Sequence, residues 1–515
     1  MSEQSRPGSE MPAFTQMLNL AAPRIGANVE AVSDDYFAPV ENLLKASTPV
    51  FEKGLYTDHG QLMDGWESRR RRTEGHDWCI IRLGVPGRVH GLVVDTTHFT
   101  GNYPESCRVE ACALEGYPDP ELLTADSNAW HELLPQSDLL GDSPNYFPVT
   151  LPYRVTHLRL HVYPDGGVAR LRVHGAPIPR LHHIAASGAH IDLASAAYGA
   201  SVVSCSDMFY SSRQNLIMPS DPKNMGDGWE TKRRRDDGHD WAIIRLVGSG
   251  WIRKAIVDTR HFKGNAPASV MIEGMRTALP ITEESLESAV DMEWRTILPR
   301  TALRPNTEHV FIQEIAEHAQ LSVVRVHIYP DGGLARLRLF GEMTPGEQQR
   351  LGTRWLNALP DNDARQELLQ CCASTEWADR LVDARPFASP EALFRVAREI
   401  WESLEEDDWR EAFDAHPRIG EFAAGESTHA RWSSDEQAGT ANATEATLST
   451  LRDANDNYEE RFGFVFLICA TGQTADGMLA ALGKRISNDQ SHEVRIAAAE
   501  QAKITELRLR KLLRP

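Results

Sequence analysis

One stretch occurs twice and constrains everything around it. Residues 64–78 read DGWESRRRRTEGHDW, and residues 227–241 read DGWETKRRRDDGHDW. The offset of 163 positions holds beyond the stretch, since Asp95-Thr96, His98-Phe99 and Gly101-Asn102 recur as Asp258-Thr259, His261-Phe262 and Gly264-Asn265. The first two-thirds of the chain is therefore a tandem duplication. Upstream the offset is 173, so copy one carries ten extra residues between Asn42 and Asp64; downstream it is 166, so copy two has gained three. Insertions at those points mark surface loops. Each copy runs to roughly one ordinary domain, far longer than a solenoid unit.

Inside each copy the pattern is β. WCIIRLG (78–84) and GLVVDTTHF (91–99) are short apolar runs with β-branched residues, as are their counterparts WAIIRLV (241–247) and KAIVDTRHF (254–262). In 154–175, Leu158, Leu160 and Val162, then Ala169, Leu171 and Val173, alternate with polar residues around Pro164-Asp165-Gly166-Gly167. That is a hairpin signal. Many short strands with polar turns predict two all-β jelly-roll sandwich repeats, over residues 15–180 and 181–342. After 342 the periodicity becomes helical, as in 390–404, 447–462 and 491–513, with Thr344 placed to cap a helix that begins at Pro345. An all-α domain over 350–515 is expected.

At 515 residues, three domains of ordinary size fit, and the hydrophobic and charged fractions of 41% and 25% suit a globular protein. The net charge of −19 disfavours general binding to nucleic acid or an anionic membrane. The seven cysteines lack metal or disulfide spacing, which suits a reducing cytosol. The polar start MSEQSRPGSEMP shows no signal peptide, and the longest apolar run, near 462–470, is too short to span a membrane. A cytoplasmic chain is expected.

The duplicated block packs carboxylates and guanidiniums with one histidine. Such a set can hydrogen-bond a urea-like group and clamp a carboxylate. The bland reading makes the arginine run a solvated patch, Asp-Gly and Gly-His-Asp turns, Trp66 or Trp78 core residues, and Asp95 a backbone ligand. For the block as a whole that reading is weaker, because Trp, Glu, His and Asp are identical in two diverged copies.

DGWExxRRR, GHDWxIIRLG and VDTxHFxGNxP, each time followed by YPDGG, resemble the allantoicase family over about residues 15–341. The resemblance implies hydrolysis of allantoate to ureidoglycolate and urea on two jelly-roll repeats. Site roles are inferred from the chemistry of the residues. His76 and His239 suit acid–base work near neutral pH. Glu67 and Glu230 are candidate catalytic residues, and with Asp77 and Asp240 they can orient ureido N–H groups. Arg70 and Arg233 can hold the substrate carboxylate, and Asp95 and Asp258 join the binding set. A divalent metal stays open for this part because His, Asp and Glu cluster, although the spacing matches no tight metal motif; no other cofactor is expected. Lys232 stands where copy one has Arg69, and Arg260 where it has Thr97. Unequal copies are therefore expected.

The C-terminal third carries ARPFASPEAL (384–393), AHPRIG (415–420), SSDEQAGT (433–440) and NYEERFGFVFLICATG (457–472) in order. Together they resemble 2-oxo-4-hydroxy-4-carboxy-5-ureidoimidazoline (OHCU) decarboxylase. That resemblance implies that His416 and Glu436 carry the chemistry, with Ser433, Gln437, Pro417 and Arg418 binding substrate. No cofactor is required, since the carbanion left by decarboxylation spreads into the ring carbonyl. The family's arginine after Ile-Cys-Ala is Thr471 here, and Arg418 or Arg461 can stand in for it. The competing class is a tandem sugar-binding module fixed to an enzyme, disfavoured because sugar sites lean on aromatics and amides. Small-molecule substrates and a homo-oligomer are expected.

Overall fold

The structure is a computed structural model that describes residues 11–125, 130–277, 293–418 and 444–514. The chain divides into two compact units, Met1–Glu347 and Gln348–Pro515.

The first unit holds both repeats, and each is built on one 19-residue strand, Asp77–Asp95 in repeat one and Asp240–Asp258 in repeat two. The two apolar runs of each copy are thus one strand, not two. Its first half pairs with Asn28–Val32 and Val155–Tyr163, and its second half with Pro144–Pro148 and Arg170–Pro177. The same strand serves both layers of the sandwich. The change of layer falls at Gly87, where a Cβ would stand 2.6 Å from the carbonyl oxygen of Ala176.

The hairpin expected at Pro164–Gly167 does not form. Val155–Tyr163 and Arg170–Pro177 flank the turn, yet they pair with different halves of the long strand and so lie in different layers. The turn instead presents Gly167-Val168 to Trp66-Glu67. Gly166 takes φ +127, and a Cβ on Gly167 would meet the Phe99 ring at 1.9 Å. Glycine at both positions is what lets the chain cross between layers there.

Apolar and polar positions alternate along the central strands, and several of the polar ones are buried as well. On Val155–Tyr163, Leu158, Leu160 and Val162 are fully buried, and on Ser106–Cys112 so are Cys107, Val109 and Ala111. Arg159, His161 and Tyr163 then share the other face with Arg108 and Glu110. Trp66 is fully buried and its indole N–H donates to the Asp34 carbonyl at 2.8 Å; Trp229 does the same to Asp207.

The second unit is helical. Its helices include Pro390–Glu402, Glu445–Phe462 and Gln490–Leu513. Ser389, Thr444 and Asp489 cap them through their side chains. Thr344 Oγ1 accepts from Glu347 N at 3.1 Å, the cap expected from the sequence for the helix that starts at Pro345. Among the described residues no helix is long and apolar enough to cross a membrane, and none of the seven cysteines forms a disulfide.

Candidate active site

Each repeat assembles a chain of polar groups on the sheet face opposite the core. In repeat one, His76 Nε2 lies 2.8 Å from His161 Nδ1, and His161 Nε2 lies 2.8 Å from Glu110 Oε2. Arg159 Nε donates to the same carboxylate oxygen at 2.8 Å. The His76 ring lies against Tyr163, with centroids 4.4 Å apart. Repeat two repeats the histidine–histidine–glutamate chain. His239 Nε2 is 2.8 Å from His327 Nδ1, His327 Nε2 is 2.9 Å from Glu273 Oε2, and Tyr329 stacks on His239 at 4.5 Å. Arg325 reaches both Glu273 and His327 Nε2.

The fold keeps these imidazoles neutral. Burial lowers the His76 pKa, and the nearby Arg108 and Arg71 guanidiniums lower it further. His239 is lowered by burial and then by Arg234. His161 is pushed down to about 4 by burial, against the pull of Glu110, and His327 is lowered for the same reason. Glu110 and Glu273 are held below the usual carboxylate range by their histidine and arginine partners, which outweigh burial.

His161, Glu110, Arg159 and Tyr163 were not singled out from the sequence. The signal was present: Glu110 recurs as Glu273 at the block's own offset, and Arg159, His161 and Tyr163 recur as Arg325, His327 and Tyr329. Only strand pairing brings them to His76, with His161 in register with both Trp78 and Arg108.

The sequence candidates fall around this chain in different ways. Asp77 and Asp240 are buried, with one oxygen held by Arg71 at 2.6 Å and by Arg234 at 3.0 Å. Ser33 and Ser206 donate to that same oxygen, while Oδ2 of each is buried with no hydrogen-bond partner. Glu67 Oε1 accepts from Asn102 at 2.7 Å, and Asn265 makes the same bond to Glu230. Burial raises the Glu67 carboxyl pKa. Glu67 and His76 are tied to opposite arms of one turn, Glu67 through its pairing with Gly167 and His76 through Tyr163. Arg70 and Arg233 are exposed. Asp95 accepts from Thr97 N at 2.9 Å and Asp258 from Arg260 N at 2.7 Å, so both carboxylates close their own turns.

Arg69 and Lys232, whose difference suggested unequal copies, face the same acidic partner at different distances. Arg69 pairs with Asp34 at 2.6 Å and Lys232 with Asp207 at 3.7 Å. Among the described residues no group of three or more His, Cys, Asp or Glu is gathered as a metal site.

In the helical unit, His416 follows the Glu406–Asp414 helix and its N–H donates to Phe413 O at 3.1 Å. Pro417 and Arg418 come next, and Arg418 pairs with Asp456 at 2.9 Å and Glu459 at 2.7 Å. Arg461 donates to Asn488 O at 2.9 Å. Ser433, Glu436 and Gln437 lie outside the described residues.

Comparison with known proteins matches both parts. The allantoicase repeat family matches residues 18–178 and 191–344, more than half of the chain, and the OHCU decarboxylase family matches residues 357–510. A probable allantoicase of Pseudomonas aeruginosa is 45% identical over 329 residues, which is 64% of this chain and 96% of that protein. A crystal structure of allantoicase from Saccharomyces cerevisiae is 33% identical, covers 63% of this chain and 92% of that one, and gives a TM-score of 0.53. The crystal structure of OHCU decarboxylase in the presence of (S)-allantoin is 40% identical and covers 29% of this chain and 98% of that one, at a TM-score of 0.26.

Proposed function

We infer the activity from one premise: the chain belongs to the allantoicase family, in two repeats, and continues into an OHCU decarboxylase domain. It is a bifunctional enzyme of ureide catabolism. One part hydrolyses allantoate to ureidoglycolate and urea; the other decarboxylates OHCU to allantoin without a cofactor.

The observation that carries the site assignment is the His–His–Glu chain, present in both repeats beside the duplicated block. In repeat one its neutral form follows from the carboxylate. Glu110 accepts the His161 Nε2 proton, His161 Nδ1 accepts the His76 Nε2 proton, and His76 Nδ1 keeps a free lone pair. Allantoate is a carboxylate whose central carbon bears two ureido groups. A water oxygen bonds to that carbon as the C–N bond to one ureido group breaks; His76 takes a proton from the water and returns it to the nitrogen of the departing group, and urea leaves. His239 serves repeat two in the same way. Glu67 and Glu230 accept ureido N–H groups, and the buried Asp77 and Asp240 position the block through their bonds to Arg71 and Arg234. Arg70 and Arg233 hold the carboxylate.

In the helical part we assign proton delivery to His416 and ring contacts to Glu436, with Ser433, Gln437, Pro417 and Arg418 around the substrate. The domain limits 15–180, 181–342 and 350–515 belong to the same reading, as does a cytoplasmic homo-oligomer. For oligomerisation the exposed aromatic pairs Tyr36-Phe37 and Phe209-Tyr210 offer apolar surface. The test is direct. The full chain should release urea from allantoate and consume OHCU; a folded chain that releases no urea refutes the hydrolase assignment.

A further inference from the structure

Both repeats place an arginine beside the histidine–tyrosine pair, but they take it from different strands. In repeat one it is Arg108, on the strand Ser106–Cys112 and in register with His161. The matching position in repeat two, in register with His327, is Met271. On the next strand the exchange is reversed. Gln136 of repeat one donates to Ser106 Oγ at 2.8 Å, and at the same place Arg300 of repeat two donates to Ser269 Oγ at 2.9 Å.

The two positions are neighbours. Pairing runs from Cys107 with Ser137 to Val109 with Leu134, so the register skips Arg108 and Gln136 together. It likewise runs from Val270 with Thr301 to Ile272 with Leu298, skipping Met271 and Arg300. Both guanidiniums carry their charge to the same ring pair, Arg300 by direct stacking and Arg108 from its place beside Glu110 and in register with His161. Arg300 lies 3.9 Å from the centre of the Tyr329 ring and acts on His239, while Arg108 acts on His76 and Tyr163. A fold needs no arginine at an outward sheet position. Two substitutions, one removing the guanidinium and one restoring it a strand away, mark a requirement at the place where it points. That requirement also differs from pairing with the glutamate, because Arg108 donates to Glu110 whereas Arg300 spends its Nε–H on a serine.

We propose that Arg108 and Arg300 are equivalent substrate-binding residues, each holding the carboxylate of the ureido acid at the histidine chain of its repeat. The proposal rests on the allantoate reading and adds an anchor at the relay to those assigned to Arg70 and Arg233. Both side chains reach solvent, Arg108 with one-third of its side chain exposed. Arg108 commits one amino group to Glu110, and Arg300 keeps both amino groups for a ligand. A planar guanidinium meets a carboxylate through two parallel hydrogen bonds, which an ammonium cannot copy.

The test exchanges the two arrangements in the full chain. Arg108→Met with Arg300→Gln removes both guanidiniums and should raise the KM for allantoate roughly tenfold or more. Adding Gln136→Arg and Met271→Arg gives each repeat the other's arrangement and should restore KM to within about threefold. Arg108→Lys with Arg300→Lys keeps charge and bulk and should still raise KM, which a purely structural role would not do. An unchanged KM in the first variant overturns the proposal. So does an exchange variant that melts like the wild type and stays as impaired as the first. If the wild-type chain releases no urea, the allantoate reading has failed instead, and this proposal falls with it.

Discussion

Replacing Glu110 and Glu273 together by glutamine isolates what the carboxylate does. In repeat one it accepts from His161 Nε2 at 2.8 Å and from Arg159 Nε at 2.8 Å. Glutamine keeps the length but turns one oxygen into a donor that faces donors. A hydrogen bond to a charged group contributes about 1.5–3 kcal/mol. Taking about 2 kcal/mol as the share that fixes the His161 tautomer, and through it the free lone pair of His76, kcat for urea release should fall roughly 30-fold. The stability cost should be smaller. Arg108 is 33% exposed as a side chain, so solvent screens its pair with Glu110, and the glutamine carbonyl oxygen can still accept from the more buried Arg159. A loss of about 1 kcal/mol per repeat is expected, a few degrees in Tm. Urea release is measured by initial rates, with OHCU decarboxylation in the same preparation as the control for an intact chain. A double variant that keeps more than about one-third of the wild-type rate, far above the roughly 30-fold loss, refutes the relay.

Two further outcomes follow from the site. The pKa values of His76 and His161 are lowered in the folded chain, so folding favours the neutral rings. Their contribution to stability is complete above the ordinary histidine value of about 6.5 and is lost as pH falls toward about 4 for His161. Urea release should therefore decline on the acid side with a midpoint below about 6.5, and a pH profile of kcat/KM with its acid midpoint above about 7 contradicts the assignment. His416→Ala should abolish OHCU decarboxylation while urea release stays at the wild-type rate; loss of both activities in a chain that melts normally contradicts two separate sites.

The duplication, the change from β to α and both families were legible because each is carried by contiguous residues. The relay was not. His76 is separated from Glu110 and His161 by whole strands, and nothing in the local sequence says which outward positions share a sheet face. The hairpin misreading has the same origin. Alternation around Pro-Asp-Gly-Gly tells that two strands flank a turn, and pairing with the long strand Asp77–Asp95 decides that they belong to different layers. The arginine exchange escapes column-by-column comparison altogether, since Arg108 faces Met271 and Gln136 faces Arg300 and each column alone reads as divergence. In the helical part, the His416 loop and the helices were legible, while Ser433, Glu436 and Gln437 fall outside the described residues.

The duplication also sorts structural identity from functional identity. Trp66 and Trp229 are explained by burial and by the carbonyls of Asp34 and Asp207. Asp95 and Asp258 are explained by the turns they close, and Gly167 and Gly333 by the rings of Phe99 and Phe262. The differences that suggested unequal copies fall on shared local partners, although Arg260 also reaches Asp221 and Glu308. Lys232 replaces Arg69 on the same acidic partner, and Arg260 binds Asp258 as Thr97 binds Asp95. What folding leaves unexplained is a short set: the histidine chain, its tyrosine, and the guanidinium that changes strand without leaving the site. The larger of the two length differences is the ten-residue insertion of copy one. Its region carries the small hairpin Tyr56–Thr57 with Gly60–Gln61, and Val50, Leu55 and Tyr56 are exposed. That segment is absent from repeat two, while the relay is present in both. The relay is thus part of what the repeats share, and the insertion is part of what distinguishes the surface of the first.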